Sequence, residues 1–173
     1  MSSTDPPRGS LGTDRRPNRG PNNAFLLAQL GAHAAQIFAR LVTEVNLNPP
    51  QAGLLRAIAT EPGRSQQDIA AQLGTAPTRL VALADDLDQR GLIERKRNPD
   101  DRRHYALYLT DTGQDTLKTL GRIAGKHDNL LLAALSSAER EQLHDLLTRV
   151  VTQQGLGRGV HPGYRKLGEL KRD

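Results

Sequence analysis

The chain has 173 residues, 36 % of them hydrophobic and 3 % aromatic, with a formal net charge of +5. That is enough apolar content for one ordinary domain with a core, but too few aromatics for the base-stacking platforms that grip single strands or RNA. With no Cys, thiol redox sensing, a disulfide framework and thiolate metal sites are excluded, and no stretch reads as long and clean enough to cross a membrane.

In chain order, residues 1–22 come first. They are rich in Ser, Pro, Gly, Arg and Asn, with four basic and two acidic side chains, and read as a disordered basic arm without a secretory signal. Phe25 to Asn46 then forms a long amphipathic pattern. Leu27, Leu30, Ala34, Ile37, Leu41 and Val45 recur every three or four residues, and Leu26, Phe38 and Val42 widen the stripe. Residues 49–63 supply the next helix. Pro49 and Pro50 start it, Leu54, Leu55 and Ile58 face inward, and Pro62-Gly63 ends it.

A shorter helix follows. Ser65 is its expected N-cap with Asp68 three residues on, Ile69, Ala70 and Leu73 form its buried side, and Gly74 closes it. After a sharp turn, Pro77 suits the first position of a second helix, where its missing N–H costs nothing, with Thr75 or Ala76 as the flanking cap. Leu80, Leu83, Ala84 and Leu87 face the first helix, leaving Thr75, Thr78, Arg79 and Ala82 outward until Gly91 ends the element.

Two short strands follow, Leu92 to Arg97 and His104 to Leu109, paired around a turn of Asn98, Pro99, Asp100 and Asp101. Arg90, Arg95, Lys96, Arg97, Arg102 and Arg103 stand against Glu94, Asp100 and Asp101, a local excess of +3. Two helices and a basic hairpin in this order are what a winged helix-turn-helix needs to set one helix in the DNA major groove and a cationic loop beside it. A solvated hairpin kept soluble by its charges has the same composition.

Thr110 is the expected cap of a helix running to about Ala134. Ser136 and Glu139 form a capping box for a last helix presenting Leu143, Leu146, Leu147, Val150 and Val151. Gly121 and Gly125 inside the long helix suggest a close helix approach or a bend. A small wing domain does not need three such apolar stripes. A twofold partner would bury them and hold two reading helices about 34 Å apart, one DNA turn; an internal bundle in a monomer is the alternative. Residues 154–173 read as a basic, flexible tail with five basic and two acidic side chains, whereas the stretch between arm and tail carries fifteen of each.

His33, His104, His127, His144 and His161 are scattered rather than placed at ligand spacing, so no metal site is expected. The run GRIAGKH, Gly121 to His127, is one residue short of a phosphate loop and lacks its Ser or Thr. Neither a nucleophile elbow nor a supported carboxylate pair appears, so neither catalysis nor a cofactor is expected.

Leu73-Gly74, then Pro77-Thr78-Arg79-Leu80-Val81, then Leu87 to Arg95 as LDQRGLIER, then Asp101-Arg102-Arg103, then Leu109-Thr110-Asp111-Thr112-Gly113 together resemble the multiple antibiotic resistance regulator (MarR) family. The resemblance covers about residues 24–153 and is strongest over 65–113. It implies a mainly α fold with a small β hairpin. A winged helix-turn-helix lobe over 47–111 would be flanked by dimerisation helices at 24–46 and 112–153. It also implies a cytoplasmic bacterial homodimer, usually a repressor, on a palindromic operator of double-stranded DNA. DNA-facing residues would be Ser65, Gln66, Thr75, Pro77, Thr78, Arg79, Arg95, Arg97, Arg102 and Arg103, with Asp101 aiming a wing Arg. Val81 and Ala82 depart from the hydroxyl and basic residues many relatives carry there. Family members often bind small aromatic acids or phenols, for which His33, Phe38 and Arg56 are the candidates here. A protein-interaction or non-specific architectural DNA-binding module on the same fold is the alternative.

Overall fold

A computed structural model describes residues 20–97 and 105–156. The basic arm over residues 1–19, the wing tip with Asp101, Arg102 and Arg103, and the tail from residue 157 lie outside the described residues. Two compact units divide the chain after His33. The described part of the first unit is mostly the opening of α1 (Asn23–Leu41), where Phe25, Leu26, Leu27 and Leu30 are all exposed.

The second unit begins within α1 and holds the core. The expected single helix to Asn46 does not run through. α1 stops at Leu41, the chain tightens into a 3-10 turn over Val42–Val45, and Asn46 ends it in the left-handed region at φ 53°. Asn tolerates that conformation better than most side chains, because its short polar group can hydrogen-bond the local backbone. The Asn46 N–H donates to the Thr43 carbonyl and the Leu47 N–H to the Val42 carbonyl, so the end of the run is hydrogen-bonded rather than frayed. Asn23–Val45 spans 23 residues, long and apolar enough to cross a membrane, which corrects the expectation that no stretch qualifies. The reason is that Arg40 and Glu44 are its only charges. Leu41 and Val42 at its end are nevertheless built into the protein core.

α2 (Pro49–Thr60) starts on Asn48, whose side chain accepts from the Gln51 N–H while Gln51 accepts from the Asn48 N–H. This capping box, Asn48 with Gln51, satisfies two otherwise orphaned donors. α3 (Gln66–Leu73) and α4 (Pro77–Gln89) make the helix-turn-helix, then β1 (Ile93–Arg97) pairs antiparallel with β2 (Tyr105–Leu109), Ile93 opposite Leu109. The loop before α3 joins this sheet. Gly63 N–H donates to the Leu107 carbonyl at 3.0 Å, Leu107 N–H to the Arg64 carbonyl at 3.1 Å, and Ser65 bridges Ala106.

Leu54, Leu55, Ile58, Ile69, Leu80, Leu87, Ile93, Leu107 and Val42 are completely buried and draw α2, α3, α4 and the hairpin into one core. Each such side chain contributes roughly 1.5–3 kcal/mol by leaving water. α5 (Asp111–Leu131) closes over this core through Leu120 and Ile123 and ends three residues short of the expected Ala134. A Cβ added at Gly121 or Gly125 would meet nothing within 4 Å, so no close approach within the described chain demands glycine there. α6 (Ser137–Gln153) has the expected Ser136–Glu139 capping box but not one buried residue.

Candidate nucleic-acid interface

Gly74 takes φ 63° and its N–H bonds back to the Ala70 and Ala71 carbonyls, which turns the chain sharply out of α3. α4 then opens on Pro77 with Ala76 as N-cap and no side-chain cap. Its first turn is consequently bare: Pro77, Thr78 and Arg79 are exposed, as are Val81 and Ala82, while Leu80, Ala84 and Leu87 are buried. An exposed Thr hydroxyl and an exposed guanidinium at a helix start suit phosphate oxygens and base edges. Thr75 is half-buried rather than fully outward.

Ser65 sits where the sequence placed it but is buried. Its hydroxyl accepts from the Asp68 N–H at 3.1 Å and donates to the Asp68 carboxylate at 2.7 Å. That oxygen is spent on starting α3. Gln66 beside it is half-buried, and its side-chain N–H group is buried without a partner.

Of the four described cations on and beside the hairpin, three are already engaged. Arg95 donates from Nη2 to the Asp85 carboxylate, and its Nε lies 3.6 Å from Asp88 Oδ2. Its side chain thus turns back along α4. Lys96 pairs with Glu94 at 2.7 Å and lies 5.1 Å from the Tyr108 ring centroid. The Glu94 carboxylate, by hydrogen bond and charge, holds the Lys96 ammonium above its ordinary pKa. Arg90 pairs with Asp86 at 3.3 Å. On this surface Arg79 and Arg97 have no carboxylate partner among the described residues and are exposed.

A second polar tie holds α4 from α2. Gln51 Nε2 donates to Asp86 Oδ2 at 2.6 Å. The acidic run Asp85, Asp86, Asp88 on α4 is the one local trace of either tie in the sequence, and it does not name Gln51 or Arg95 as the partner.

The three effector candidates are not brought together by any described contact. Phe38 is half-buried and its ring stands 5.6 Å from that of His127, whose Nε2 is 2.9 Å from the Ala34 carbonyl. Arg56 is exposed on α2, and His33 is exposed on α1. Among the described residues no group of His, Cys, Asp and Glu could hold a metal ion.

A helix-turn-helix whose second helix bares its first turn beside an antiparallel hairpin defines a winged-helix DNA-binding protein. A MarR family model matches residues 45–104. A candidate transcriptional regulatory protein for the hcr operon of Thauera aromatica is 33 % identical over 136 residues, covering 74 % of this chain and 82 % of its own length. The transcriptional repressor CouR, solved on a 23-mer DNA duplex, superposes with a TM-score of 0.66 at 33 % identity, over 75 % of this chain and 92 % of that one. The PcaV transcriptional regulator of Streptomyces coelicolor gives 0.63 at 28 % identity, over 79 % and 100 %. This chain belongs to the MarR family of winged-helix, DNA-binding transcriptional regulators.

Proposed function

We propose that the chain is a cytoplasmic homodimeric repressor that reads a palindromic operator and is released by a small aromatic or phenolic ligand. The observation that carries the reading is the bare first turn of α4. Thr78 and Arg79 are exposed on a helix whose opposite face, Leu80 and Leu87, is completely buried. Thr75, Pro77, Thr78 and Arg79 would meet the major groove, and Arg97, Arg102 and Arg103 the flanking backbone and minor groove, with Asp101 aiming one of them. Ser65 and Gln66 would approach a phosphate through the backbone at the start of α3.

The dimer is supported by what α1 and α6 leave in water. Phe25, Leu26, Leu27 and Leu30 on one, and Leu146, Leu147 and Val150 on the other, are exposed. Apolar area on that scale is expected to be covered by another surface. A twofold partner over 24–46 and 112–153 would leave the lobe over 47–111 free to bind, two lobes spanning about 34 Å. Phe38 and Arg56 offer a ring and a cation to an aromatic acid. Such a ligand would act by favouring a lobe spacing that no longer fits the operator.

Footprinting upstream of the gene, with the protein's mass in solution measured alongside, tests this. A protected inverted repeat bound by a dimer is the expected outcome. A monomer that protects nothing, or tight capture of a protein partner instead, would overturn it.

A further inference from the structure

Gln51 is an unusual residue for its position. It is 9 % exposed, level with Leu41 and Ala57 at the edge of the core, although it is a polar side chain in the first turn of a helix. Both ends of its amide are used. The oxygen accepts from the Asn48 N–H at 2.8 Å, closing the α2 cap, and the nitrogen donates to Asp86 Oδ2 at 2.6 Å, thirty-five residues on. Asp86 lies on α4, two turns beyond Thr78 and Arg79, and receives Arg90 on the same oxygen. Hydrogen bonds to a charged acceptor are strong and directional, so this part-buried tie fixes geometry more tightly than apolar packing does.

What precedes Gln51 matters as much. Asn46 is the only non-glycine at positive φ among the described residues, and it stands between the 3-10 turn and α2. Leu47, next to it, is buried and bonded back to Val42, and Asn48 caps α2. Asn46, Leu47 and Asn48 thereby tie the end of the 3-10 turn to the start of α2. On the other flank of α4, Asp85 and Asp88 are held by Arg95 from β1. The bare first turn of α4 thus belongs to a helix clamped by one polar tie from α2 and one from the hairpin.

We infer that Gln51 is a positioning residue for sequence readout: its amide sets the tilt of α4 and carries displacements at the end of α1 to the residues that face bases. Gln51 touches no DNA in this scheme and acts through Asp86. The inference rests on the DNA-binding reading above.

Charge exchange across the pair tests it. In Gln51→Glu the Asn48 N–H keeps its acceptor, but a carboxylate faces Asp86. In the double variant Gln51→Glu with Asp86→Asn, the new Asn amide can donate to the new Glu and the tie is restored with its polarity reversed. Full-length protein is titrated with the footprinted operator duplex and with a scrambled duplex at fixed salt, and melting is recorded for each variant. Gln51→Glu is expected to lower the operator-to-scrambled affinity ratio about tenfold, the effect of losing one charge-assisted hydrogen bond. Binding to the scrambled duplex is expected to stay unchanged, and the double variant to recover most of the ratio. Asp86→Ala, at a half-exposed carboxylate, cuts the same tie without burying a new charge and is expected to lose the same selectivity. A wild-type ratio in both Gln51→Glu and Asp86→Ala, or a double variant no better than Gln51→Glu, would overturn the assignment. Wild-type protein that binds no duplex at all would instead remove the DNA-binding reading beneath it.

Discussion

A β-carbon at position 113 would stand 1.9 Å from the carbonyl oxygen of Leu92. That oxygen accepts the Thr110 N–H at 3.2 Å, and the Thr110 hydroxyl donates to the Gly91 carbonyl at 2.6 Å while accepting from the Gly113 N–H at 3.0 Å. The Leu-Thr-x-x-Gly exit is therefore a knot between the end of α4 and the start of α5. Gly113 is required by close approach, since something must shift to admit a methyl group.

Gly113→Ala is expected to destabilise the protein by about 1–3 kcal/mol through overpacking against a backbone carbonyl. Thermal unfolding checks it, with a midpoint lowered by roughly 2–4 °C per kcal/mol for a chain of this size. Gly121→Ala, where the added carbon meets nothing within 4 Å, is the matched control and should leave the midpoint unchanged or raised.

Arg79→Ala should relax base selectivity rather than weaken all binding equally. A bidentate guanidinium on guanine is worth about 1–3 kcal/mol of discrimination, and Arg79 has no carboxylate partner among the described residues to hold it elsewhere. Competition binding with a panel of single-base operator variants measures this. A uniform loss over the panel would assign Arg79 to phosphate.

Replacing Arg102 and Arg103 by Ala is expected to make the dependence of log K on log salt shallower, by roughly 0.9 for each phosphate that is no longer neutralised. Arg95→Ala should behave differently. Its guanidinium is taken up by Asp85 and Asp88, so a loss of selectivity with a nearly unchanged slope is expected. Titrations at several salt concentrations separate the two.

Glu139 gives a pH-dependent cap. The Ser136 hydroxyl at 2.7 Å and then its backbone N–H at 2.8 Å donate to the Glu139 carboxylate and hold its pKa below the ordinary value. A lowered folded-state pKa contributes in full above the ordinary glutamate range and is lost as pH falls through the lowered value. Amide protection in the first turn of α6 is expected to fall on acidification into that window. Glu139→Gln, which can accept without titrating, should flatten the response in hydrogen-exchange measurements.

Much of the reading head was legible because its signals are local. Ser65, Gly74, Pro77, Thr110 and Ser136 each act within a few residues of themselves, and each stands at the boundary its chemistry implies. Partnerships made by tertiary position were not legible. Arg95 reads as a groove-facing cation until Asp85 and Asp88 are seen beneath it, and Gln51 has no sequence neighbour that hints at Asp86. Gly63 to Ser65 joins the sheet without any alternating pattern, since its bonds to Leu107 and Ala106 are made by backbone alone. The end of α1 escaped for a related reason: a stripe through Val45 continues whether the backbone is α or 3-10.

The last helix has no side chain buried within its own chain among the described residues. In the proposed dimer its order is referred to a second molecule, so dilution works as a denaturant. The temperature at which α6 melts should climb with protein concentration while the α3–α4 lobe, sealed by Ile69, Leu80 and Leu107, keeps its own value.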